Sequence, residues 1–254
     1  MINLVRAIAL AVPMLLAAKV QAYECPAKFL RQAAVIFDLI TICAMNDVSV
    51  DKIKHAAHVT AQWLDNNQDG NIDELGVKSS LLENKPVILM SAAGFNIFQF
   101  FTIEKGLGDR IAQDLSAEET ASKHGRDASQ EEIHHLIFTA GWSPTFPRTF
   151  SEVPMDRSTV YLTWLLAEKK GFYDYDDPTC DAECKVVEFF YLASAAYLGS
   201  HIDVAHDELS LKTRRQLKED LPEVINIIES NSYEYPRYMW PDGKYSFSEH
   251  IKLK

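Results

Sequence analysis

Two stretches of the chain carry residue types at spacings that suit metal chemistry. The first is Asp65-Asn66-Asn67-Gln68-Asp69-Gly70-Asn71-Ile72-Asp73. Calcium takes roughly six to eight hard oxygen ligands, and a loop supplies them by alternating side chains around a tight turn. Asp65, Asn67 and Asp69 fall at loop positions 1, 3 and 5. Gly70 falls at the sharp turn, Asn71 offers its carbonyl at position 7, and Asp73 stands at position 9 as ligand or water holder. Position 12, where such a loop carries a bidentate glutamate, is Gly76. Glu74 or Asp73 would have to substitute, so the expected calcium site (Asp65, Asn67, Asp69, Asn71, Asp73) is weak. The alternative is a solvated Asx-rich turn that binds nothing.

The second stretch is Glu131-Glu132-Ile133-His134-His135. On a helix, Glu131 and His135 are i,i+4 and Glu132 and His135 are i,i+3, so a carboxylate and an imidazole can face one ion. The plain alternative is a helix start with acids placed for the dipole and half-exposed histidines. Glu188 adds weight. It is the one acid among residues 186–198, beside Phe189, Phe190 and Tyr191, and a carboxylate on so apolar a helix needs a partner. His135 and Glu188 are therefore expected to meet, with one of Glu131 or Glu132. His206 is the chosen further ligand, folded back after Gly199. Three protein ligands and an open position would make a catalytic zinc centre, with Glu131 or Glu132 as general base. His55 and His58 read as surface or packing residues.

The elements that must position these groups read mostly as helices. Apolar spacing predicts helices over residues 27–42, 50–64 with Ser49 as N-cap, 77–83, 129–140 with Ser129 as N-cap, 158–170, 185–198, 210–217 and 221–230. Pro86 opens a short apolar run that reads as strand. Residues 95–103 could be strand or buried helix, and residues 106–129 read as a connection with room for one helix. No repeat and no Ser- or Pro-rich linker divides the chain. The expected fold is mainly α, α+β with at most a small sheet: one compact helical domain over residues 23–254, with the calcium loop at 65–76.

The chain has 254 residues, 25 Lys and Arg against 36 Asp and Glu, and a net charge of −11. That balance argues against nucleic acid as a partner, because phosphate binding needs concentrated positive charge. Cations are the natural ligands of such a surface. Residues 1–22 have the layout of a secretory signal peptide. Arg6 precedes an apolar run over residues 7–18, and Val20-Gln21-Ala22 is a cleavage-type ending. The run is short for a membrane span, which takes about 20 residues. The expected mature protein is secreted, with no membrane contact after cleavage. In an oxidising compartment the four cysteines should pair. Two local links, Cys25–Cys43 and Cys180–Cys184, are favoured over the other pairings and over a zinc site.

The acidic loop after Trp63-Leu64, the Glu-Glu-Ile-x-His helix, Tyr175-Asp-Asp-Pro-Thr-Cys-Asp-x-x-Cys184 before Glu188-Phe-Phe-Tyr, and the late Pro241-Asp-Gly-x-Tyr245 together resemble a loosely characterised family of secreted proteins of marine invertebrates and bacteria. The resemblance covers most of the chain after residue 22. It implies that Asp65, Asp69, Asp73, His135, Asp176, Asp177 and Glu188 belong to a shared pattern, and it implies no activity. Residues 65–73 alone resemble the EF-hand family, from which Gly76 departs.

These readings give a secreted calcium-binding protein as the leading expectation. A zinc-dependent hydrolase, of which a peptidase is one form, with its metal near His135 is the alternative from another class. A structural or adhesive extracellular module is the third. Metal ions are the expected partners, and the sequence names no protein or peptide partner. No GxSxG elbow, phosphate-binding loop or dinucleotide fingerprint is present.

Overall fold

A computed structural model describes residues 24–122 and 125–254; the expected signal peptide lies outside the described residues. The first elements among the described residues are two antiparallel strands, β1 (Arg31–Ile36) and β2 (Ile40–Ala44), where the sequence predicts a helix over 27–42. Helix α1 (Val50–Leu64) follows, then α2 (Leu75–Asn84), β3 (Val87–Ser91), α3 (Ile97–Leu107), β4 (Ala112–Ser116) and α4 (Ala128–Ile137). A π-helical turn over Phe138–Trp142 leads into the short α5 (Ser143–Thr145) and α6 (Pro147–Phe150). Then come α7 (Thr159–Lys169), α8 (Ala182–Leu198), α9 (Arg214–Asp220), α10 (Pro222–Ile228) and β5 (Ile251–Leu253).

The strands form one five-stranded mixed sheet in the order β4-β3-β2-β1-β5. β2, β3 and β4 are parallel neighbours, while β1 runs antiparallel to both β2 and β5. The fold is therefore α+β around a substantial sheet, which overturns the expectation of a mainly helical domain. The physical reason lies in how the sheet is covered. Ile42, Ile88 and Met90 point into the main core with α1 and α4, whereas Cys43, Val87 and Leu89 point into a smaller one with Ile103 of α3. A strand buried on both faces is apolar at every position, so it loses the alternation that marks a strand. The hairpin turn is also unmarked: Phe37 and Asp38 both take left-handed φ angles, with no Asn-Gly or Gly to advertise it.

Other segments also differ from expectation. Residues 106–129 contain the edge strand β4, and residues 95–103 contribute to α3, whose outer side is exposed rather than buried. The tail supplies β5. α4 is capped by Asp127, whose carboxylate accepts from the Ser129 amide and hydroxyl and the Ala121 amide. Ser129 was the expected cap. The cap of α1 is Ser49, as expected, and the disulfides are Cys25–Cys43 and Cys180–Cys184. Among the described residues, no helix is long and apolar enough to cross a membrane.

A buried polar knot locks α4 to α8 and to the C-terminal segment. The Tyr235 hydroxyl lies 2.9 Å from His134 Nε2 and 2.9 Å from Ser194 Oγ, which itself donates to the Phe190 carbonyl at 2.8 Å. Burial holds the His134 imidazole well below its ordinary pKa, with His135 adding to the effect. Tyr235→Phe should leave His134 Nε2 without this partner and cost roughly 1–3 kcal/mol, read as a lower urea midpoint at unchanged slope. An unchanged midpoint would mean that the knot contributes nothing to stability.

Candidate metal centre

α4 places Glu131 and His135 one turn apart, and its far side packs on the sheet through Ile133 and Leu136. α8 begins at the Asp181 cap, which accepts from the Cys184 amide at 3.0 Å. It crosses α4 so that Glu188 meets His135. His135 Nε2 lies 3.2 Å from Glu188 Oε2, and Glu188 is only 3% exposed. The expected meeting of these two groups is present. Glu131 completes the cluster: one ligand atom each from Glu131, His135 and Glu188 lie within 4.8 Å of one another. A single ion with bonds of about 2.0–2.2 Å holds its ligands up to about 4 Å apart, so small side-chain closures suffice.

The electrostatics are those of a site short of positive charge. Glu188 Oε1 is buried with no hydrogen-bond partner, and His135 Nε2, despite its closeness to Glu188, makes no hydrogen bond of acceptable angle. Burial by itself would lower the His135 pKa, but the carboxylates of Glu132 and Glu188 override it and hold the imidazole up to about 10. Burial, and then the charge of Glu188, push the Glu131 carboxyl up to about 8.

Glu132 stands outside the cluster. Its Oε2 accepts from Gln113 Nε2 on the edge strand β4 and lies 3.6 Å from His135 Nδ1. A cleft of about 340 Å³ opens beside His135, lined by Gln113, Thr139, Glu152, Glu183 and Val187 among others. A second cleft, also about 340 Å³, is lined by Glu119, Arg126, Ala128, Glu131, Glu132 and His206. His206 therefore shares a cleft with Glu131 and Glu132, but it is exposed and is not one of the three converging groups. Tyr191 and Ser200 both donate to the buried Asp203, which anchors the turn after α8 and leaves His206 on the outside. Asp176 and Asp177, in the loop before α8, are exposed. Sequence reasoning missed Gln113, because β4 itself was not recognised. It also missed Arg126, whose guanidinium pairs with Glu208 at 2.8 Å on the rim of the second cleft.

The acidic loop has its own geometry. Gln68 and Gly70 take left-handed φ angles of 54° and 88°. The turn folds the Asp69 and Gly70 amides onto the Asp65 carboxylate at 3.0 and 2.8 Å. Asp65 is fully buried and also accepts from the Tyr245 hydroxyl. Asp69 accepts from the Asn71 amide and side chain, while Asn67 is exposed. Asp73 Oδ2 accepts from the Asn66 amide at 2.8 Å, and its Oδ1 is buried without a partner. Burial, reinforced by the charges of Asp65, Asp69 and Glu234, pushes the Asp73 carboxyl up to about 7. Glu74 is engaged elsewhere, accepting from the Gly76 and Glu234 amides. A side chain at Gly76 would start 2.7 Å from Thr145 Cγ2, so α5 occupies the space of the missing twelfth ligand.

Comparison with known protein families, with curated proteins and with solved structures returns no match for this chain.

The signs of the shifts predict how stability follows pH in the metal-free protein. His135 is raised, so its contribution is full below the ordinary 6.5 and is lost as the pH climbs through about 10. Glu131 is raised from 4.5 to about 8, so its contribution is full below 4.5 and is lost as the pH rises through about 8. His134 is lowered and acts oppositely: stability is full above 6.5 and falls as the pH drops toward its folded value. The melting temperature should therefore decline between pH 7 and 10, and Glu188→Gln should flatten that decline. An alkaline slope identical in the variant would show that Glu188 does not hold the His135 proton.

Proposed function

We propose that the protein is a metal-dependent hydrolase whose ion is held by Glu131, His135 and Glu188. The observation that carries this reading is the buried, unpartnered Glu188 Oε1 beside His135 Nε2 and Glu131. Two carboxylates and one imidazole suit a borderline transition ion such as zinc better than they suit calcium. When bound, the ion would supply Lewis acidity and make a water molecule easier to deprotonate. Glu132 is the chain's own base in this reading. It lies outside the ligand set, Gln113 orients it through Oε2, and its other oxygen, Oε1, is left to take and hold a proton. Glu131, which was the other candidate base, serves here as a ligand. Access runs through the second cleft, which Glu131 and Glu132 line, and a peptide is the first substrate class to test. The two disulfides fit a secreted setting.

A second reading concerns calcium. The left-handed Gln68 and Gly70 and the unpartnered Asp73 Oδ1 support weak binding by residues 65–73, with Tyr245 yielding its hydrogen bond to Asp65. If neither metal binds, the structural or adhesive module is the remaining reading.

Elemental analysis after dialysis against zinc should find one ion per chain, lost in Glu188→Gln and His135→Gln. Glu132→Gln should keep the ion and reduce peptide turnover by about 10²-fold or more. Absence of stoichiometric metal in the wild type would sink the hydrolase reading. Calcium in the low millimolar range, on the order of weak extracellular sites, should raise the melting temperature, and Asp65→Ala with Asp69→Ala should erase that rise. Identical melting with calcium and with chelator would reduce the loop to a turn.

A further inference from the structure

We infer that the free edge of β4 is a docking strand: an extended peptide rich in lysine or arginine adds to the sheet there, alongside Glu132 and His135. The inference rests on the proposed hydrolase for the fate of that peptide, and not for its binding. Among the described residues β4 ends the sheet on its side and pairs with β3 alone. The Ile111 carbonyl accepts from the Val87 amide, and the Ala117 amide donates to the Ser91 carbonyl. The alternation of a parallel ladder then turns the backbone of Gln113 and Leu115 to β3, and that of Ala112, Asp114 and Ser116 away from it. The Ser116 carbonyl is taken by the Thr120 amide and hydroxyl at 3.1 and 2.8 Å. Among the described residues, no hydrogen bond meets the outward amides and carbonyls of Ala112 and Asp114. A row of unpaired backbone donors and acceptors is matched by another extended backbone.

The edge lies against the candidate centre. α4 runs back along β4: the Ala128 amide at its start donates to the Glu119 carbonyl at 3.2 Å, and Glu132 one turn on accepts from Gln113. Gln113 lines the cleft beside His135, and Glu119 lines the cleft that holds Glu131 and Glu132. The edge therefore connects the two clefts. Its charge selects the occupant. Asp114 is exposed, and burial of its carboxyl, with the charges of Glu132 and Glu119 adding to the effect, raises its pKa above the usual range. Glu152, Asp181 and Glu183 line the cleft at the Gln113 end. Among the described residues, Arg126 is the only lysine or arginine lining either cleft, and Glu208 already pairs with it. So acidic a strip attracts a basic peptide and repels an acidic one. It also refuses a second copy of itself, which would set Asp114 and Glu119 against the same acids.

The test uses the purified protein, with zinc and with chelator, and a pool of acetylated, amidated random octapeptides that carry lysine at every second position. The pool should slow deuterium uptake at the amides of Ala112, Asp114 and Ser116 whether or not zinc is bound. A pool with glutamate in place of lysine should bind at least tenfold more weakly. Asp114→Pro removes one outward amide from an edge strand, where proline is tolerated. It should weaken binding of the lysine pool at least tenfold while zinc content and melting temperature hold. Four results would overturn the inference: no binding of the lysine pool; binding that leaves uptake at these amides unchanged; equal binding of the glutamate pool; or amides already slow in the free protein, which means that the chain itself covers the edge. Slowing in a protein that takes up no zinc would keep the docking strand and sink the hydrolase, and zinc uptake without slowing would do the reverse.

Discussion

Glu188 sits on a helix made almost wholly of apolar side chains, with Phe189, Phe190 and Tyr191 beside it fully buried. Leaving a carboxylate there uncompensated costs several kcal/mol, on the order given for a buried ion, so its neighbours must supply a proton or a cation. His135 is the group that α4 delivers, and the crossing of α4 over α8 is set so that it can. The polar knot of His134, Tyr235 and Ser194 lies on the same helix pair and fixes that crossing. Adjacent histidines thus do opposite work. Burial holds the His134 pKa well down inside the knot, while with no ion bound the carboxylates of Glu132 and Glu188 raise that of His135.

The site is supported from two further directions. The edge strand β4 carries Gln113 to Glu132, which keeps that carboxylate out of the cluster and near the cleft. On the other side the C-terminal segment lies across α1 and the acidic loop as a strap. Asn66 bonds to the backbone of Tyr238 and Met239, and Gln62 to that of Asp242 and Gly243. Tyr245 donates to Asp65. Gln130, the residue before Glu131, donates to the Pro241 carbonyl and accepts from Trp63 Nε1 at 3.0 Å. The loop, the strap and the helix of the candidate centre are therefore one connected hydrogen-bonded unit.

This connection also explains why the acidic loop departs from a full calcium loop. Its carboxylates already have partners in the fold: Asp65 takes two amides and a tyrosine, and Glu74 takes two amides. Those bonds do for the strap what an ion does for an isolated loop. Of the loop's buried carboxylate oxygens only Asp73 Oδ1 lacks a partner, and burial first, with the charges of the acids around it second, raises the Asp73 pKa.

Much of the local structure was legible in the residues themselves. Ser49 marks the start of α1 because a serine side chain can take an orphan helix amide, and the two disulfides follow the closest cysteine spacings. The meeting of His135 and Glu188 was also readable, since an acid on an apolar helix demands a partner wherever the chain goes. The sheet was not. β1 over Ala33–Ile36 and β2 are buried at every position and so show no strand alternation, and their turn uses Phe37 and Asp38 in a conformation that no local residue announces. Nor could sequence choose Glu131 over His206 as the third converging group. That choice depends on which way the chain turns after Gly199, and the turn is held by Tyr191 and Ser200 bonding to Asp203. Charges and caps act over one or two turns of chain and are written there. Crossing angle and the company a side chain keeps are decided by contacts between elements, some of them more than a hundred positions apart, such as His134 with Tyr235 and Asp65 with Tyr245.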